Sequence, residues 1–254
     1  MKLRLDKLLV ERGLAASRER AQALILAGKV LVDEQKVEKA GTNVPAGAKI
    51  RLLGEDLKYV SRGGVKLEAA LEHWRIEVTG KTCLDVGAST GGFTDCLLQR
   101  GAARVIAVDT GYGQMDARLR ADPRVRLLER TNARYLKPED VGEPVEVAAM
   151  DVSFISATLV LPAVIRSTQR SAVSHRPLEL VVLVKPQFEV GRERVGKGGI
   201  VRDPADQQAA VEKVRRAVEE LGGSGIEVME SPITGAEGNQ EFLLHARFHE
   251  SGGK

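Results

Sequence analysis

Cysteine is nearly absent from this sequence. Two residues in 254, Cys83 and Cys96, cannot build a disulfide framework or a zinc cluster. The four histidines, His73, His175, His245 and His249, show no spacing that joins them to cysteines or to a helical acid pair. His245 and His249 fall four apart, but in an extended segment four residues span roughly 13 Å, too far to share one ion. No resident metal is expected, and each histidine reads as a surface or core residue. Aromatics are scarce as well, at 4%, which argues against a broad stacking platform for single-stranded nucleic acid. Long apolar runs are missing too. Stretches such as Val181-Val182-Leu183-Val184 fall far short of the roughly 20 residues a spanning helix needs. Met1-Lys2-Leu3-Arg4 leads into charge instead of a signal-peptide core. The expectation is a soluble, cytoplasmic protein.

What is present is enough for a sizeable core. Hydrophobic residues make up 43% and charged residues 29%, so global disorder is excluded. The length exceeds the usual single domain and admits one large domain or a large one with a small companion. Net charge is only +3, yet residues 1–60 hold 12 Lys+Arg against 8 Asp+Glu, leaving 26 against 27 for the rest. An N-terminal excess of this kind suits a segment that faces a polyanion.

Residues 3–58 read as a compact unit. Leu5, Leu8 and Leu9 have helical spacing, with Gly13 as a stop. Ser17 caps a second helix that carries Ala21, Leu24 and Ile25 on one face and ends at Gly28. Lys29–Asp33 and Lys49–Leu53 read as strands separated by polar, turn-rich sequence. Lys7, Arg12, Arg18, Arg20 and Lys29 are spread over the helical part and could form one basic face. The segment RLDKLLVERGLAASRERAQALILAGKVLVD, Arg4 to Asp33, resembles the S-four-like RNA-binding domain first known from a small-subunit ribosomal protein. That resemblance implies contacts from those five residues to the phosphates of structured RNA.

After a linker at 55–65 and a helix beginning near Lys66, strands and helices alternate. Strands are expected at Thr82–Val86, Arg104–Asp109, Val125–Glu129, Val145–Asp151, Leu178–Lys185, Ile226–Glu230 and Glu241–Phe248. Helices are expected near Gly92–Arg100, Ala157–Ser167 and Pro204–Leu221. The rhythm is that of a doubly wound α/β sheet, with an antiparallel hairpin where the last two strands adjoin. Only Ser251–Lys254 looks like a frayed tail.

The clearest chemical signal is Leu84-Asp85-Val86-Gly87-Ala88-Ser89-Thr90-Gly91-Gly92-Phe93-Thr94. A strand runs into a glycine turn and then a helix, which lets backbone approach a ligand at the carboxyl edge of the sheet. Asp109 ends the next strand, 24 residues beyond Asp85, where a carboxylate can accept both hydroxyls of an adenosine ribose. Ser89 occupies the middle position of a dinucleotide fingerprint, which requires glycine there. The Gly-x-x-x-Gly-Gly pattern behind an acid is instead similar to the first motif of class I methyltransferases. That similarity implies S-adenosylmethionine held by Asp85, Gly87, Ala88, Ser89, Gly91, Gly92, Phe93 and Asp109, with Asn132 as an adenine contact.

Four further polar residues stand at telling places. Lys66 starts the helix before the first strand, Asp151 and Lys185 end strands, and Glu241 opens the last one. In a doubly wound sheet the strand carboxyl ends converge on the ligand crevice, and an antiparallel last strand brings its start to the same edge. Such a set suits methylation of a ribose 2′-hydroxyl. A lysine whose pKa is lowered by a nearby cation and partial burial can accept the hydroxyl proton; a protonated lysine can stabilise alkoxide charge instead. An isolated Lys or Asp at a strand end is ordinarily a solvated residue or a cap; four at one edge beside a glycine turn favour chemistry.

The segments SRGGVKL, LDVGASTGGFTDCLLQRGA, DVSFIS, LVKPQFE, GKGGIVRDP and GNQEF together resemble the TlyA family of ribosomal RNA ribose methyltransferases, related to the FtsJ group. The resemblance implies a class I, Rossmann-like methyltransferase domain over 61–254 and the RNA-binding domain over 1–60. It also implies S-adenosylmethionine-dependent 2′-O-methylation of cytidine in ribosomal RNA within ribosomal subunits, and catalytic Lys66, Asp151, Lys185 and Glu241, with Glu237 an alternative for the last. Ser89-Thr90 and Phe93 stand where the FtsJ pattern has Ala-Pro and Trp. The loop Gly191–Val201, with Arg192, Arg194 and Lys197, either clamps RNA phosphates or is simply solvated. A non-catalytic ribosome-assembly factor and a membrane-active haemolysin are the competing functions. The sequence offers no amphipathic basic helix for the latter.

Overall fold

The computed structural model describes residues 2–15, 17–53, 58–168, 177–235 and 238–249. His175, Glu237 and the tail at 251–254 lie outside the described residues. Chain contacts divide the protein into two units, Met1–Leu57 and Lys58–Lys254.

In the first unit, strand β1 (Lys2–Arg4) leads into helices α1 (Leu5–Glu11) and α2 (Arg18–Leu26), followed by β2 (Val30–Val32), β3 (Gln35–Lys36), β4 (Asn43–Pro45) and β5 (Ile50–Leu52). Ser17 Oγ accepts from the Arg20 amide at 3.2 Å and so caps α2. Leu5, Leu8, Leu9, Ala21, Leu24 and Ile25 are buried together against Val30 and Val32. The sequence reading missed β1, β3 and β4. Each is two or three residues long, and β1 and β4 exist by pairing with each other across the unit, a non-local bond that local pattern does not report.

The second unit opens with α3 (Gly63–His73) and β6 (Thr82–Val86), then α4 (Gly92–Gln99), β7 (Arg104–Val108), α5 (Ala117–Ala121) and β8 (Val125–Leu128). It continues through α6 (Pro138–Val141), β9 (Val147–Met150), α7 (Ala157–Ser167), β10 (Leu178–Val184), α8 (Pro186–Glu189), α9 (Pro204–Glu220), β11 (Ser224–Glu230) and β12 (Phe242–Phe248). Helix α3 starts at Gly63, inside the stretch expected to be linker.

The seven strands form one sheet in the order β11-β12-β10-β9-β6-β7-β8. β10, β9, β6, β7 and β8 run parallel, and β12 is antiparallel to both β10 and β11. The fold is thus a Rossmann-like, doubly wound α/β sheet with its last strand inserted antiparallel. Side chains alternate between the faces. Leu84, Val86, Ile106, Val108, Ala148 and Met150 pack under α7 and α9 with Val160, Leu161, Val164, Val211 and Val214. Cys83, Val105, Ala107, Val147 and Ala149 pack under α3 and α4 with Leu67, Leu71, Phe93 and Leu97. Both cysteines are free and buried in that second layer. Each such fully buried aliphatic side chain contributes roughly 1.5–3 kcal/mol, so the strand ends are fixed by a core on both sides.

Candidate active site

The glycine turn after β6 is shaped by what surrounds it. Gly87 has φ +87°, and a Cβ there would stand 2.3 Å from the Asp151 carbonyl oxygen. Ser89 also takes a positive φ, 49°, and Gly91 (φ 96°) caps α4 in the left-handed region. A Cβ on Gly92 would meet Ser61 Oγ at 2.2 Å. The pattern of glycines in the sequence therefore reflects a turn squeezed between the β9 end and the start of α3.

Three cavities meet at this edge of the sheet. The first, ≈ 370 Å³, is lined by Gly87, Ser89, Asp109, Asn132 and Asp151 among others. Asp109 is held in place by accepting from the Ser89 amide at 2.8 Å and the Gly111 amide at 2.6 Å. Asn132 Oδ1 accepts from the Arg134 amide at 3.0 Å, capping a short 3-10 turn. The second cavity, ≈ 260 Å³, is lined by Ala88, Ser89, Gly92, Phe93, Lys66, Asp151, Lys185 and Glu241, with Ser61, Arg62 and Gly63 closing one side. The third, ≈ 280 Å³, shares Lys185 and Glu241 with the second, and Ser153 and Phe154 with the first.

All four residues singled out for chemistry line the second cavity. Lys66 and Glu241 form a buried ion pair. Lys185 Nζ lies 2.5 Å from Asp151 Oδ1 and donates to Ser153 Oγ at 2.8 Å. The Lys185–Asp151 approach is out of line for a hydrogen bond, so buried Oδ1 has a charge contact and no hydrogen-bond partner. Two cation–anion pairs thus flank one small volume, each lysine held by its own carboxylate.

Asp85 and Gly91 differ from the rest of the expected cofactor set in lining none of these cavities. Asp85 is fully buried beneath the turn, where its Oδ2 accepts from Thr94 Oγ1 at 2.6 Å and its Oδ1 has no partner. Burial pushes its carboxyl up to about 7, the Thr94 hydrogen bond opposes that rise, and the charges of Asp151 and Asp109 add to it.

Several lining residues escaped the sequence reading. Ser61, Arg62 and Gly63 were assigned to linker. Phe154, 92% exposed and at φ 64°, stands at the rim with its ring 5.3 Å from that of Phe188; an exposed aromatic with strained backbone is a signal only coordinates carry. Asn239 is buried, accepts from the Val201 amide at 2.9 Å and donates to the Gly199 carbonyl at 2.8 Å. It ties the Gly191–Val201 loop to the segment bearing Glu241, and Val195 and Gly199 of that loop line the third cavity. Arg194 of the same loop pairs with Asp206 at 3.1 Å.

On the first unit, the five basic residues divide. Lys7 is exposed and Lys29 and Arg20 half-buried. Arg12 donates to the Ala48 and Ala46 carbonyl oxygens at 2.7 and 2.5 Å. Arg18 donates to Asp6 at 3.0 Å. Asp6 is fully buried, and the paired bonds from Arg4, with help from Gln22 and Arg18, hold its carboxyl far below the usual carboxylate range. Sequence could not show that a buried acid commits Arg18.

The residues present fit S-adenosylmethionine: a carboxylate lining the first cavity at Asp109, a turn with no room for a side chain at Gly87, and an adjoining cavity lined by the two lysine–carboxylate pairs. Residues 59–248 match the FtsJ-like methyltransferase family and residues 3–50 the S4 domain. The chain is 48% identical over 245 residues to the 16S/23S rRNA (cytidine-2′-O)-methyltransferase TlyA of Mycobacterium tuberculosis, covering 96% of this chain and 89% of that protein. It is 40% identical to Hemolysin A of Brachyspira hyodysenteriae, covering 96% and 99% respectively. A solved structure from Streptococcus thermophilus, provisionally named a hemolysin, superposes with TM-score 0.75 at 42% identity, covering 98% of this chain and 90% of that one. Likeness of this extent places the chain in the TlyA family of FtsJ-like, S-adenosylmethionine-dependent methyltransferases.

Proposed function

We propose that the protein methylates the 2′-hydroxyl of a cytidine in ribosomal RNA, with residues 1–60 holding RNA and residues 61–254 performing the transfer. The observation that carries this reading is the meeting of Lys66, Asp151, Lys185 and Glu241 on one cavity that opens onto the Asp109 pocket. Asp109, Asn132, Gly87, Ala88, Ser89, Gly92 and Phe93 would hold the cofactor, with Gly91 and the buried Asp85 shaping the turn from behind. When bound, S-adenosylmethionine supplies a methyl group already activated as an electrophile. The protein's own work is then on the hydroxyl. Lys185, oriented by Asp151 and Ser153, lines both the second and third cavities, where it can accept the hydroxyl proton itself or balance the negative charge that develops on the oxygen. Lys66, fixed by Glu241, supplies the second positive charge. Positioning the hydroxyl beside these groups would provide much of the remaining acceleration.

A stretch of basic side chains on the first unit suits RNA phosphate contacts, and among the described residues the side chains of Lys7 and Lys29 are not drawn to a backbone carbonyl or to Asp6, as those of Arg12 and Arg18 are. Some relatives carry a hemolysin name; among the described residues no helix is long and apolar enough to cross a membrane. The reaction is tested by transfer of labelled methyl from S-adenosylmethionine to separated, unmodified ribosomal subunits, with the product mapped to its nucleotide. A 2′-O-methylcytidine on either subunit is the expected result. Failure to label either one, with cofactor binding confirmed, would shift weight to a non-catalytic role in ribosome assembly.

A further inference from the structure

What Lys185 can do depends on where its amine stands, and the sheet alone does not hold it there. The β9–β10 ladder runs from Val147 with Glu179 to Met150 with Val182 and ends at that pair. Asp151, Ser153 and Lys185 all lie past it. Yet the two segments stay alongside one another. Lys185 Nζ donates to Ser153 Oγ, 32 residues away in sequence. The same separation of 32 recurs between Glu189 and Ala157, whose amide donates to Glu189 Oε1 at 2.7 Å, and it is the separation of the ladder partners themselves. The register set in the sheet is thus fastened a second time, beyond the site.

Glu189 makes that second fastening. Its side chain is only 2% exposed. One carboxylate oxygen takes the first amide of α7, and the other accepts from Ser156 Oγ at 2.5 Å. A carboxylate at a helix N-terminus satisfies an amide the helix leaves unpaired and complements the helix dipole. Lys213 of α9 closes the cluster, with Nζ 3.2 Å from Glu189 Oε2 and donating to the Glu189 carbonyl oxygen at 2.8 Å. At the other end, the Phe188 amide donates to the Lys185 carbonyl oxygen at 2.9 Å. Helix α8 is therefore one tight turn, and a shift of Glu189 is carried to Lys185. The loop leading to Ser156 also holds Phe154 at φ 64°, a backbone state that a non-glycine residue keeps only where its surroundings impose it.

Resting on the role given to Lys185 above, we propose that Glu189 is a positioning residue for methyl transfer. It joins the turn behind Lys185 to the head of α7, and so fixes the Lys185 amine against Ser153 and Asp151. Glu189 lines none of the three cavities, so its effect on the reaction passes through Lys185 and the loop facing it. The amine has Asp151 Oδ1 at 2.5 Å and Ser153 Oγ at 2.8 Å, both on the segment that the Glu189 contacts retain. Displacing a reacting group by about 1 Å costs on the order of 10²-fold in rate. Loosening this fastening therefore slows transfer while leaving the Asp109 pocket as it is.

The test is single-turnover transfer of labelled methyl to unmodified ribosomal subunits by the protein and its Glu189→Ala, Glu189→Gln and Ser153→Ala variants, and by the double variant of Ser153→Ala with Glu189→Ala. Affinity for S-adenosylmethionine and for the subunits is measured on each. Glu189→Ala should slow transfer by roughly 10–100-fold and change either affinity by less than about threefold. Glu189→Gln, which keeps an oxygen for the Ala157 amide, should return the rate to within about threefold of the unmodified protein. Once Ser153 is lost, Glu189→Ala should cost less than it does alone, because both act on one placement. Four results each overturn the inference: an unslowed Glu189→Ala protein, a Glu189→Gln protein as slow as Glu189→Ala, rate factors that simply multiply, and affinities that fall as far as the rate. The last would show that Glu189 serves the fold alone. Should Glu189→Ala fail to fold, Glu189→Asp, whose shorter side chain draws the carboxylate back from the Ala157 amide, takes its place under the same criteria. Full activity in Lys185→Ala overturns the inference while leaving the reaction intact. Absence of transfer by the unmodified protein overturns the reading of the reaction and the inference with it.

Discussion

Lys66 and Glu241 stand 175 residues apart in sequence and form a buried ion pair on the wall of the second cavity. Removing one member of such a buried pair leaves a charge without compensation, a loss of about 3–5 kcal/mol, whereas replacing both by apolar groups of similar size is often neutral. Glu241→Ala should lower denaturant stability by that order. The double substitution Lys66→Met with Glu241→Leu should recover most of the stability and none of the methyl transfer. Recovered transfer in the folded double variant would show that the pair serves the fold alone.

Lys185 allows chemistry to be separated from cofactor binding. It lines the second and third cavities and is absent from the lining of the Asp109 pocket. Lys185→Ala should reduce single-turnover methyl transfer by roughly 10²–10⁴-fold, the usual worth of a positioned acid–base group, with S-adenosylmethionine affinity changed only a few-fold. Full activity in that variant would refute the role given to Lys185.

Asp85 links the site to pH. Its ordinary value of 3.8 is raised by burial to about 7 in the folded protein. Between those values the unfolded carboxyl has lost its proton while the folded one retains it. The folded state then binds more protons, so Asp85 makes stability fall as pH rises through this window, by about 1.4 kcal/mol per pH unit, and level off above it. Asp85→Asn should remove that slope and gain relative stability at pH 8. Parallel stability profiles from pH 4 to 8 for the two proteins would show that burial does not hold Asp85 protonated.

Much of the second unit was legible because its strands are short apolar runs between glycines. Thr82–Val86 and Ala157–Ser167 were read with both ends correct; Asp151, Lys185 and Glu241 were gathered by one topological rule about strand ends, and Lys66, on helix α3, was added by the family resemblance. What escaped depended on three-dimensional pairing. α8 is a single turn after Lys185, too short for a periodic signal, yet it carries Glu189, whose Oε1 accepts from the Ala157 amide at 2.7 Å and ties this turn to the start of α7. His245 looked unremarkable in sequence and is buried, stacked on Trp74 with ring centroids 5.1 Å apart and 2.5 Å from Glu179. Asp85 read as a cofactor contact because of its place in the motif; only the fold shows it turned inward to Thr94.

The basic residues of the first unit test how far charge alone predicts a binding face. Among the described residues, the Lys7 and Lys29 side-chain amines make no hydrogen bond that would compete with phosphate, whereas Arg18 donates to fully buried Asp6 from helix α2. Lys7→Ala and Lys29→Ala should each weaken binding to ribosomal RNA and reduce the slope of log affinity against log salt by about one unit, with thermal stability unchanged. Arg18→Ala should behave differently. It removes one of the donors that keep Asp6 ionised, at a loss of about 1 kcal/mol, and moves acid unfolding of this unit to higher pH, because a depressed carboxyl contributes stability only above the point where it is protonated. Salt-dependent RNA titration beside acid denaturation distinguishes the two classes. If Arg18→Ala changed the salt slope and left acid stability alone, the Asp6 contact would be incidental and Arg18 would join the RNA-facing set.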